Sequence, residues 1–160
     1  VLFPFGCSLR LRLELVQTDT AVLSSNVTSG ANDELLITAD TIVYIDNEVL
    51  GKPTTPQDAV NMLKKLSGKW HQVITGVVLS TKEKRHSFAV TTQVKFAELT
   101  EAEIEYYVNR YSPLDKAGAY GIQEWIGYIG VERIEGSYFN VVGLPVQRLY
   151  QELKQFVSGK

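Results

Sequence analysis

The sequence predicts an α/β domain in which helices flank a mixed sheet. Three observations indicate this class: strand and helix patterns alternate along the chain, strands outnumber helices, and no repeat, low-complexity tract or linker separates them. The 160 residues, 44% of them hydrophobic, suffice for one core and are too few to argue for two domains. We therefore expect residues 1–160 to form a single domain.

Strand patterns open the chain. Residues 9–15 alternate leucine with charged residues, a period of two that is typical of a half-buried strand. The β-rich runs 35–37 and 42–45 flank a polar break, so Asp40 is predicted either within a strand or at a strand break. The remaining patterns before the first helix are a loop at 28–33, a turn at 46–47 and a short strand at 48–50.

Two helices and a hairpin are predicted next. Thr55 can cap a helix that starts at Pro56, and Thr100 begins a Thr-x-x-Glu capping box for a second helix. Between them, the runs 71–81 and 86–96 predict a hairpin across a charged turn. The first helix should bury Val60, Leu63 and Leu66 and end at Gly68, and the second should bury Ile104, Tyr107, Val108 and Tyr111 and end before Pro113.

A glycine-rich loop at 115–123 follows the second helix, and its Gly118 suits either backbone geometry or function. An alternating pattern predicts a strand at 125–134, a turn or loop is predicted at 136–140, and Pro145 should open a last helix. The apolar stripe of that helix consists of Val146, Leu149, Tyr150, Leu153 and Phe156.

Composition and charge exclude several classes of function. The net charge of -2 gives no basic field for nucleic acid, and no apolar run approaches a membrane span. Cys7 is the single cysteine, which rules out an internal disulfide and a thiolate zinc cluster, and the apolar start lacks the basic leader of a signal peptide. We expect a protein of the reducing cytoplasm that binds neither nucleic acid nor membrane.

Two loops and a strand carry residues that suit chemistry on a phosphate ester. Asp40 places a carboxylate at the polar break, Lys52 follows in a Gly-Lys-Pro turn, and the loop 115–123 bears Lys116 and Gln123. Carboxylate, ammonium and amide groups in loops suit a phosphate ester and a metal ion. Taken singly, Asp40 is more often a turn or cap residue, and Lys52 is more often a solvated lysine.

Other polar and aromatic residues have structural interpretations. Ser137, Tyr138 and Asn140 favour a turn before a helix over a role in lining a cleft. His71 and His86 lie in predicted strands without a nucleophile motif, so we expect structural or surface roles. Three tyrosines are expected in the core rather than as a platform for a base: Tyr106, Tyr107 and Tyr111.

Five ordered motifs together resemble the Maf family of nucleoside triphosphate pyrophosphatases. The resemblance covers residues 34–156. The motifs are Leu-Ile-Thr-Ala-Asp-Thr-Ile-Val at 36–43, Gly-Lys-Pro at 51–53, Leu-Ser-Gly and His-Gln-Val-Ile-Thr-Gly at 66–68 and 71–76, Asp-Lys-Ala-Gly-Ala-Tyr-Gly-Ile-Gln at 115–123, and Glu-Gly-Ser-Tyr-Phe-Asn-Val-Val-Gly-Leu-Pro at 135–145.

The resemblance implies a fold shared with the inosine triphosphate pyrophosphatases, in which a twisted mixed sheet lies beneath a cleft between two lobes. It implies a cytoplasmic homodimer that uses Mg²⁺ or Mn²⁺ to cleave a nucleoside triphosphate into a monophosphate and pyrophosphate. The loop 115–123 resembles that of the subgroup acting on dTTP, UTP and modified pyrimidine nucleotides. Such enzymes keep these nucleotides out of nucleic acid.

The resemblance also implies roles for individual residues. Asp40 would be the general base and a metal ligand, and Lys52 would neutralise charge on the leaving pyrophosphate. Thr41 and Gln123 match positions that choose the base, and Lys116 would be a second phosphate contact. These five residues are the predicted catalytic and substrate-binding set.

The family's N-terminal phosphate loop, Ser-x-Ser-Pro-Arg-Arg, is not recognisable in residues 1–33. Ser8, Arg10 and Arg12 do not match its spacing. A truncated sequence, an incorrectly read first segment or a divergent member would each give this pattern. Without that cationic clamp we expect weak or absent activity.

Two other functions stay open from the sequence. A non-catalytic interaction protein of the septum-formation-inhibitor type would need only the fold and its surface. A purine-specific enzyme of the inosine triphosphatase type is disfavoured by the pyrimidine-type loop at 115–123.

Overall fold

Six strands, five α-helices and a 3-10 helix at Ala117–Ala119 form within residues 10–15 and 34–158, the ranges that the computed structural model describes. The strands are β1 (Arg10–Leu15), β2 (Glu34–Ile45), β3 (Glu48–Leu50), β4 (Trp70–Ser80), β5 (Arg85–Phe96) and β6 (Val131–Glu135). The helices are α1 (Pro56–Leu66), α2 (Glu101–Tyr111), α3 (Trp125–Gly130), α4 (Tyr138–Val142) and α5 (Val146–Ser158). Within these ranges, no helix is both long and apolar enough to cross a bilayer. The predicted loop at 28–33 and Cys7 lie outside the described residues.

The sheet is mixed, as the sequence predicts. Its strands lie in the order β1-β2-β4-β5-β6, and β3 pairs with β2 outside this path. β1 runs parallel to β2, from Arg10 opposite Glu34 to Leu15 opposite Ala39. β3 is antiparallel to β2, and β6 is antiparallel to β5. The predicted α/β class is therefore confirmed.

β2 continues without a break through the polar sequence around Asp40. β1 pairs with its first half as far as Ala39, and β3 pairs with its end from Val43 onwards. Thr38 and Ala39 are buried, and Asp40 is half-buried. Of the two predicted placements, the one within a strand is therefore confirmed for Asp40.

The predicted hairpin is also present. β4 and β5 are neighbours in the sheet, and residues 81–84 connect them. The Thr81 N–H donates to the Lys84 carbonyl at 2.9 Å, and the Thr81 hydroxyl accepts from the N–H groups of Glu83 and Lys84. A threonine that closes the turn with its own side chain is a common way to stabilise such a connection.

The contacts of the described residues divide them into two compact units. The first holds residues 10–15, 34–40, 76–89 and 146–158, and the second holds residues 41–75 and 90–145. The main hydrophobic core belongs to the second unit, in which α1 and α2 pack together. Its largest fully buried side chains include Tyr107, Phe96, Leu63, Leu66, Ile104 and Ile126.

Both predicted helix caps are present, the capping box at Thr100 is confirmed, and Thr55 forms a capping box as well. The Thr55 hydroxyl accepts from the Asp58 N–H at 3.1 Å, and the Thr100 hydroxyl accepts from the Glu103 N–H at 3.3 Å. In return, each acidic side chain accepts from the N–H of its capping threonine. At the start of each helix, two backbone N–H groups that have no partner within the helix are thus hydrogen-bonded. These bonds fix where α1 and α2 begin.

The buried faces of these two helices match the prediction in part. The prediction was wrong for Tyr106 and Tyr111, which are exposed. Tyr106 lies outside the helical stripe of i, i+3 and i+4 positions, and Tyr111 is the last residue of α2. Val60 is half-buried against the core. The fully buried residues are Ala59, Leu63 and Leu66 in α1 and Ile104, Tyr107 and Val108 in α2.

The strand predicted at 125–134 is wrong in its first half, where Trp125–Gly130 form α3. Gly127 explains the difference. Its N–H donates to the Glu124 carbonyl at 2.9 Å, and a Cβ atom built on it would lie 1.9 Å from the Ile122 carbonyl oxygen. The helix therefore depends on a close backbone approach that an alternating apolar pattern does not reveal.

The loop predicted at 136–140 is wrong in its second half, where α4 begins. Ser137 caps this short helix, because its hydroxyl accepts from the Asn140 N–H at 3.3 Å. Gly143 ends the helix with φ 122°, a conformation that favours glycine. Ser137 and Asn140 therefore have the structural roles that the sequence favours.

The last helix, α5, begins directly after Pro145, as predicted. The prediction was wrong for Val146 and Tyr150, which are exposed. The Glu152 carboxylate is buried in their place, and it contacts His86 Nε2 at 2.7 Å and Arg148 Nη2 at 2.6 Å. A buried carboxylate is tolerated because it is paired, and no periodicity of apolar residues reveals such a pair. The buried face consists of Leu149, Glu152, Leu153 and Phe156.

His71 lies at the centre of the second unit, where it is 2% exposed. Its Nε2 is 2.8 Å from the Tyr120 hydroxyl, and its ring meets the rings of Phe96 and Tyr120 edge-on at 5.1 and 5.5 Å. Burial lowers the pKa of His71 from 6.5 to about 4. The predicted structural role of His71 is consistent with this aromatic setting.

Protonation of His71 should make stability depend on pH. The unfolded chain takes up this proton near pH 6.5, whereas the folded chain resists it until about pH 4, so the free energy of unfolding falls as pH falls between those values. We expect a loss on the order of 2 kcal/mol between about pH 7.5 and about pH 5, measured by urea unfolding. A His71→Leu variant should lose this part of the dependence, whereas Asn109→Ala, a variant at an exposed site without a titratable group, should retain it.

The close approach at Gly127 predicts a large effect of one methyl group. Gly127→Ala should destabilise the protein by about 3 kcal/mol or more, because the Ile122 backbone has to move. Gly130→Ala is the matched control in the same helix, since its Cβ would meet the nearest side-chain atom at 3.4 Å, an ordinary contact. Denaturation midpoints of the two variants measure the difference, and equal midpoints would contradict this packing.

Candidate active site

The turn at 51–53 and the loop at 115–123 meet through their backbones. The Gly118 N–H donates to the Gly51 carbonyl at 3.0 Å. Gly118 has φ +68°, and a Cβ atom on it would lie 2.8 Å from Val43 Cγ2. Gly118 therefore serves backbone geometry, and it brings the turn that carries Lys52 against the loop that carries Lys116.

Two lysines and two carboxylates lie in this region, and we call them the lysine cluster: Lys52, Asp115, Lys116 and Glu124. Lys116 Nζ is 2.9 Å from an Asp115 carboxylate oxygen and 3.2 Å from a Glu124 carboxylate oxygen. Lys116 and Glu124 are partly buried, whereas Lys52 and Asp115 are exposed. Asp115 and Lys116 lie on the loop 115–123, Lys52 lies on the turn 51–53, and Glu124 directly precedes α3.

The pKa shifts in the lysine cluster agree with this placement. The hydrogen bond from Lys116 lowers the pKa of Asp115, and the charge of Lys52 lowers it further. Burial opposes the charged form of Lys116, but the hydrogen bonds to Asp115 and Glu124 outweigh it and raise the pKa of Lys116. The charges of both lysines therefore act on the Asp115 carboxylate.

Tyr107 holds the loop from inside the core. Its hydroxyl donates to the Glu124 carboxylate and accepts from the Gly121 N–H at 3.0 Å. Burial and the Glu124 hydrogen bond raise the pKa of Tyr107, so the hydroxyl keeps its proton. Glu124 in turn contacts Lys116, so one buried tyrosine determines where that lysine lies.

Thr41 belongs to a separate chain of hydrogen bonds. Its hydroxyl oxygen is 2.9 Å from the hydroxyl oxygen of Thr75, which in turn donates to the Asn140 carbonyl at 3.1 Å. Thr41 is half-buried, whereas Thr75 and Asn140 are fully buried. The predicted base-choosing residue is thus fixed by two residues that sequence reasoning did not connect with it.

The structure brings some of the predicted residues together. Lys52 and Lys116 share the lysine cluster, while Gln123 is exposed on the same loop and its carbonyl accepts from the Tyr128 hydroxyl at 2.9 Å. Asp40 is half-buried in β2 and belongs to the first compact unit. Its role stays a prediction.

The described residues offer few ligands for a metal ion. Within 10–15 and 34–158, no three or more His, Cys, Asp or Glu side chains are grouped so that one ion could be held. Mg²⁺ usually binds through one or two carboxylates together with substrate phosphates and water. A single carboxylate at Asp40 fits that mode of binding and does not fit a site built from protein ligands alone.

Sequence reasoning missed three residues that support the site. Glu124 directly follows the loop motif, so its position was a usable signal. Tyr107 was predicted only as a core residue, because its hydroxyl contacts depend on the fold. Thr75 lies in the motif at 71–76, but its hydrogen bond to Thr41 depends on the fold.

Comparison with known proteins identifies the class of this α/β domain. The model of the Maf family, described as Maf-like protein, matches residues 13–156. The chain therefore belongs to the Maf family. The match begins inside β1, earlier than the resemblance read from the motifs at 34–156.

Curated relatives agree with this membership. A Bacteroides fragilis protein named dTTP/UTP pyrophosphatase is 64% identical over 123 residues, which are 77% of this chain and 64% of the relative. A Phocaeicola vulgatus protein of the same name is 65% identical with the same two coverages. The chain thus spans less than two thirds of the length of these relatives. A Christiangramia forsetii protein of that name is 48% identical over 151 residues, 93% of this chain and 77% of the relative.

Removing the Tyr107 hydroxyl should loosen the loop. Tyr107→Phe leaves the Gly121 N–H and the Glu124 carboxylate without this partner, so we expect a loss of about 1–3 kcal/mol and faster hydrogen exchange at Gly121. Tyr111→Phe is the matched control, because Tyr111 is exposed on the same helix. Unfolding and amide exchange measure both variants, and identical behaviour would contradict the anchoring role of Tyr107.

Proposed function

We propose that this chain is a nucleoside triphosphate pyrophosphatase that hydrolyses dTTP, UTP or modified pyrimidine nucleotides to the monophosphate and pyrophosphate. The observation that carries the proposal is the placement of Lys52 and Lys116 around one carboxylate, at loops joined by the Gly51 and Gly118 backbones. Preorganised cations of this kind stabilise charge on a leaving pyrophosphate. The relatives named dTTP/UTP pyrophosphatase support the choice of substrate.

In the proposed reaction, a water oxygen forms a bond to the α-phosphorus of the nucleoside triphosphate. The bridging P–O bond breaks, and pyrophosphate leaves with the electron pair. Asp40 takes the proton of the water as general base. Lys52 and Lys116 neutralise the phosphate oxygens.

We propose that a divalent cation, Mg²⁺ or Mn²⁺, takes part in this chemistry. When bound, such an ion polarises a phosphoryl oxygen and lowers the pKa of its bound water. Asp40 would contribute the protein ligand, and the substrate phosphates would supply further oxygens. Because no group of three or more metal-ligating side chains occurs within residues 10–15 and 34–158, a site shared with the substrate is consistent with the described part of the chain.

Recognition of the base is proposed for Thr41 and Gln123. A side-chain amide offers both donor and acceptor groups and so suits the edge of a pyrimidine. Gln123 is exposed, so its amide is available to a ligand. A cytoplasmic location and a homodimer remain proposals that accompany this function.

An Asp40→Asn variant tests the proposal. Pyrophosphate release is measured from dTTP, UTP, dCTP, dGTP and ITP with Mg²⁺ and with Mn²⁺. We expect release from dTTP and UTP to fall by at least about a hundredfold in the variant, because the general base is lost. Asp46→Asn is the matched control, since Asp46 has φ 51° in an exposed turn and asparagine adopts that conformation readily.

The readout is the ratio of the pyrophosphate release rates of the wild type and Asp40→Asn, so a low absolute rate does not affect the test. Equal rates of pyrophosphate release by the two proteins would refute the enzymatic proposal and favour an interaction protein. Release from purine nucleotides alone would instead favour an enzyme of the inosine triphosphatase type.

A further inference from the structure

Two carboxylates share one ammonium group in the lysine cluster. Lys116 Nζ is 2.9 Å from an Asp115 oxygen and 3.2 Å from a Glu124 oxygen. The Asp115 side chain is 64% exposed, whereas the Glu124 side chain is 25% exposed. The two contacts therefore differ in how easily another anion can replace them.

Contacts within the fold hold the Glu124 carboxylate in place. One of its oxygens accepts from the Tyr107 hydroxyl, and the other faces Lys116. A Cβ atom built on Gly121 would lie 2.9 Å from Glu124 Cδ and 3.0 Å from Lys116 Cε, so glycine at this position leaves the pair room to close. We therefore expect the contact between Glu124 and Lys116 to persist when an anion binds.

The contact between Asp115 and Lys116 lies in solvent instead. Ion pairs between exposed side chains contribute little free energy, because water screens the charges and the side chains lose freedom when they pair. Lys52 adds a second cation, since the Gly51–Gly118 hydrogen bond joins its turn to the loop and its charge acts on Asp115. An anion of higher charge than a carboxylate would be attracted more strongly to the same two cations.

We propose that Asp115 competes with pyrophosphate for the ammonium group of Lys116. A phosphate oxygen would replace the Asp115 oxygen on Lys116, while Glu124 keeps the ammonium group in position. Pyrophosphate suits this exchange because it carries several negative charges at neutral pH. The inference rests on the proposed function, since that function generates pyrophosphate at these lysines.

Asp115 then acts in product release and not in the chemical step. As a phosphate oxygen leaves Lys116, the Asp115 carboxylate takes its place, so the ammonium group exchanges one anionic partner for another. This exchange lowers the free energy that pyrophosphate needs to leave. Release of product often limits the turnover of an enzyme, so a carboxylate that speeds it has a use.

The first experiment measures binding of inorganic pyrophosphate by calorimetry, without a divalent ion. Asp115→Asn removes the competing carboxylate, so we expect the Kd for pyrophosphate to fall by about threefold to tenfold. Asp46→Asn is the matched control, because it removes the same charge from an exposed aspartate that pairs with Lys69. An unchanged or raised Kd in Asp115→Asn, an equal fall in both variants, or no binding of pyrophosphate by any of these proteins would overturn the inference.

A double-mutant cycle separates competition from repulsion at a distance. Repulsion between Asp115 and the anion acts whether or not residue 116 is charged, whereas competition requires the ammonium group. Lys116→Gln removes that charge and keeps a side-chain donor for Glu124. When Lys116→Gln is present, Asp115→Asn should lower the Kd by less than about twofold. A fall as large as the one in the wild-type background would overturn the inference.

The second experiment follows UMP formation from UTP with Mg²⁺ while pyrophosphate is added. The inhibition constant of pyrophosphate should fall in Asp115→Asn in parallel with the Kd. An Asp115-dependent pyrophosphate affinity without UMP formation would support the inference and defeat the proposed function. UMP formation together with a pyrophosphate affinity that does not depend on Asp115 would overturn the inference alone, so the two failures are distinguishable.

Discussion

Tyr107 links the hydrophobic core to the loop that carries the candidate site. Its ring is fully buried among the side chains that join α1 and α2, and its hydroxyl bonds both the Glu124 carboxylate and the Gly121 N–H. The loop itself buries Ala119, Tyr120 and Ile122 in the core, and the Tyr107 hydroxyl adds a polar anchor at its end. Through Glu124, this anchor connects the core with Lys116.

Local chemistry made much of the fold predictable from the sequence. The capping threonines Thr55 and Thr100 mark the starts of α1 and α2, since a side chain next to a helix start determines its own contacts. The alternation at 9–15 indicated β1, and the charged turn indicated the β4–β5 hairpin. Gly118 has a backbone requirement that only glycine meets readily, with φ +68° and Val43 Cγ2 2.8 Å from a Cβ atom built on it, whereas a Cβ atom on Gly51 would meet nothing within 4 Å.

Features that depend on distant contacts could not be predicted. The helix at Trp125–Gly130 follows from the approach of Gly127 to the Ile122 carbonyl, which a period-two pattern conceals. The burial of Glu152 follows from its pairing with His86, which is remote in sequence. The hydrogen bond between Thr41 and Thr75 joins two strands, and each threonine alone resembles any other strand threonine.

The backbone at Gly118 has a consequence for testing the proposed nucleotide selection by protein engineering. Its positive φ and its closeness to Val43 determine the course of the main chain, independently of the side chains on either side. Lys116 and Gln123 can therefore be exchanged in combinatorial libraries against a constant scaffold. A library that varied Gly118 itself would mostly sample damaged scaffolds, and its inactive members would say little about how the base is selected.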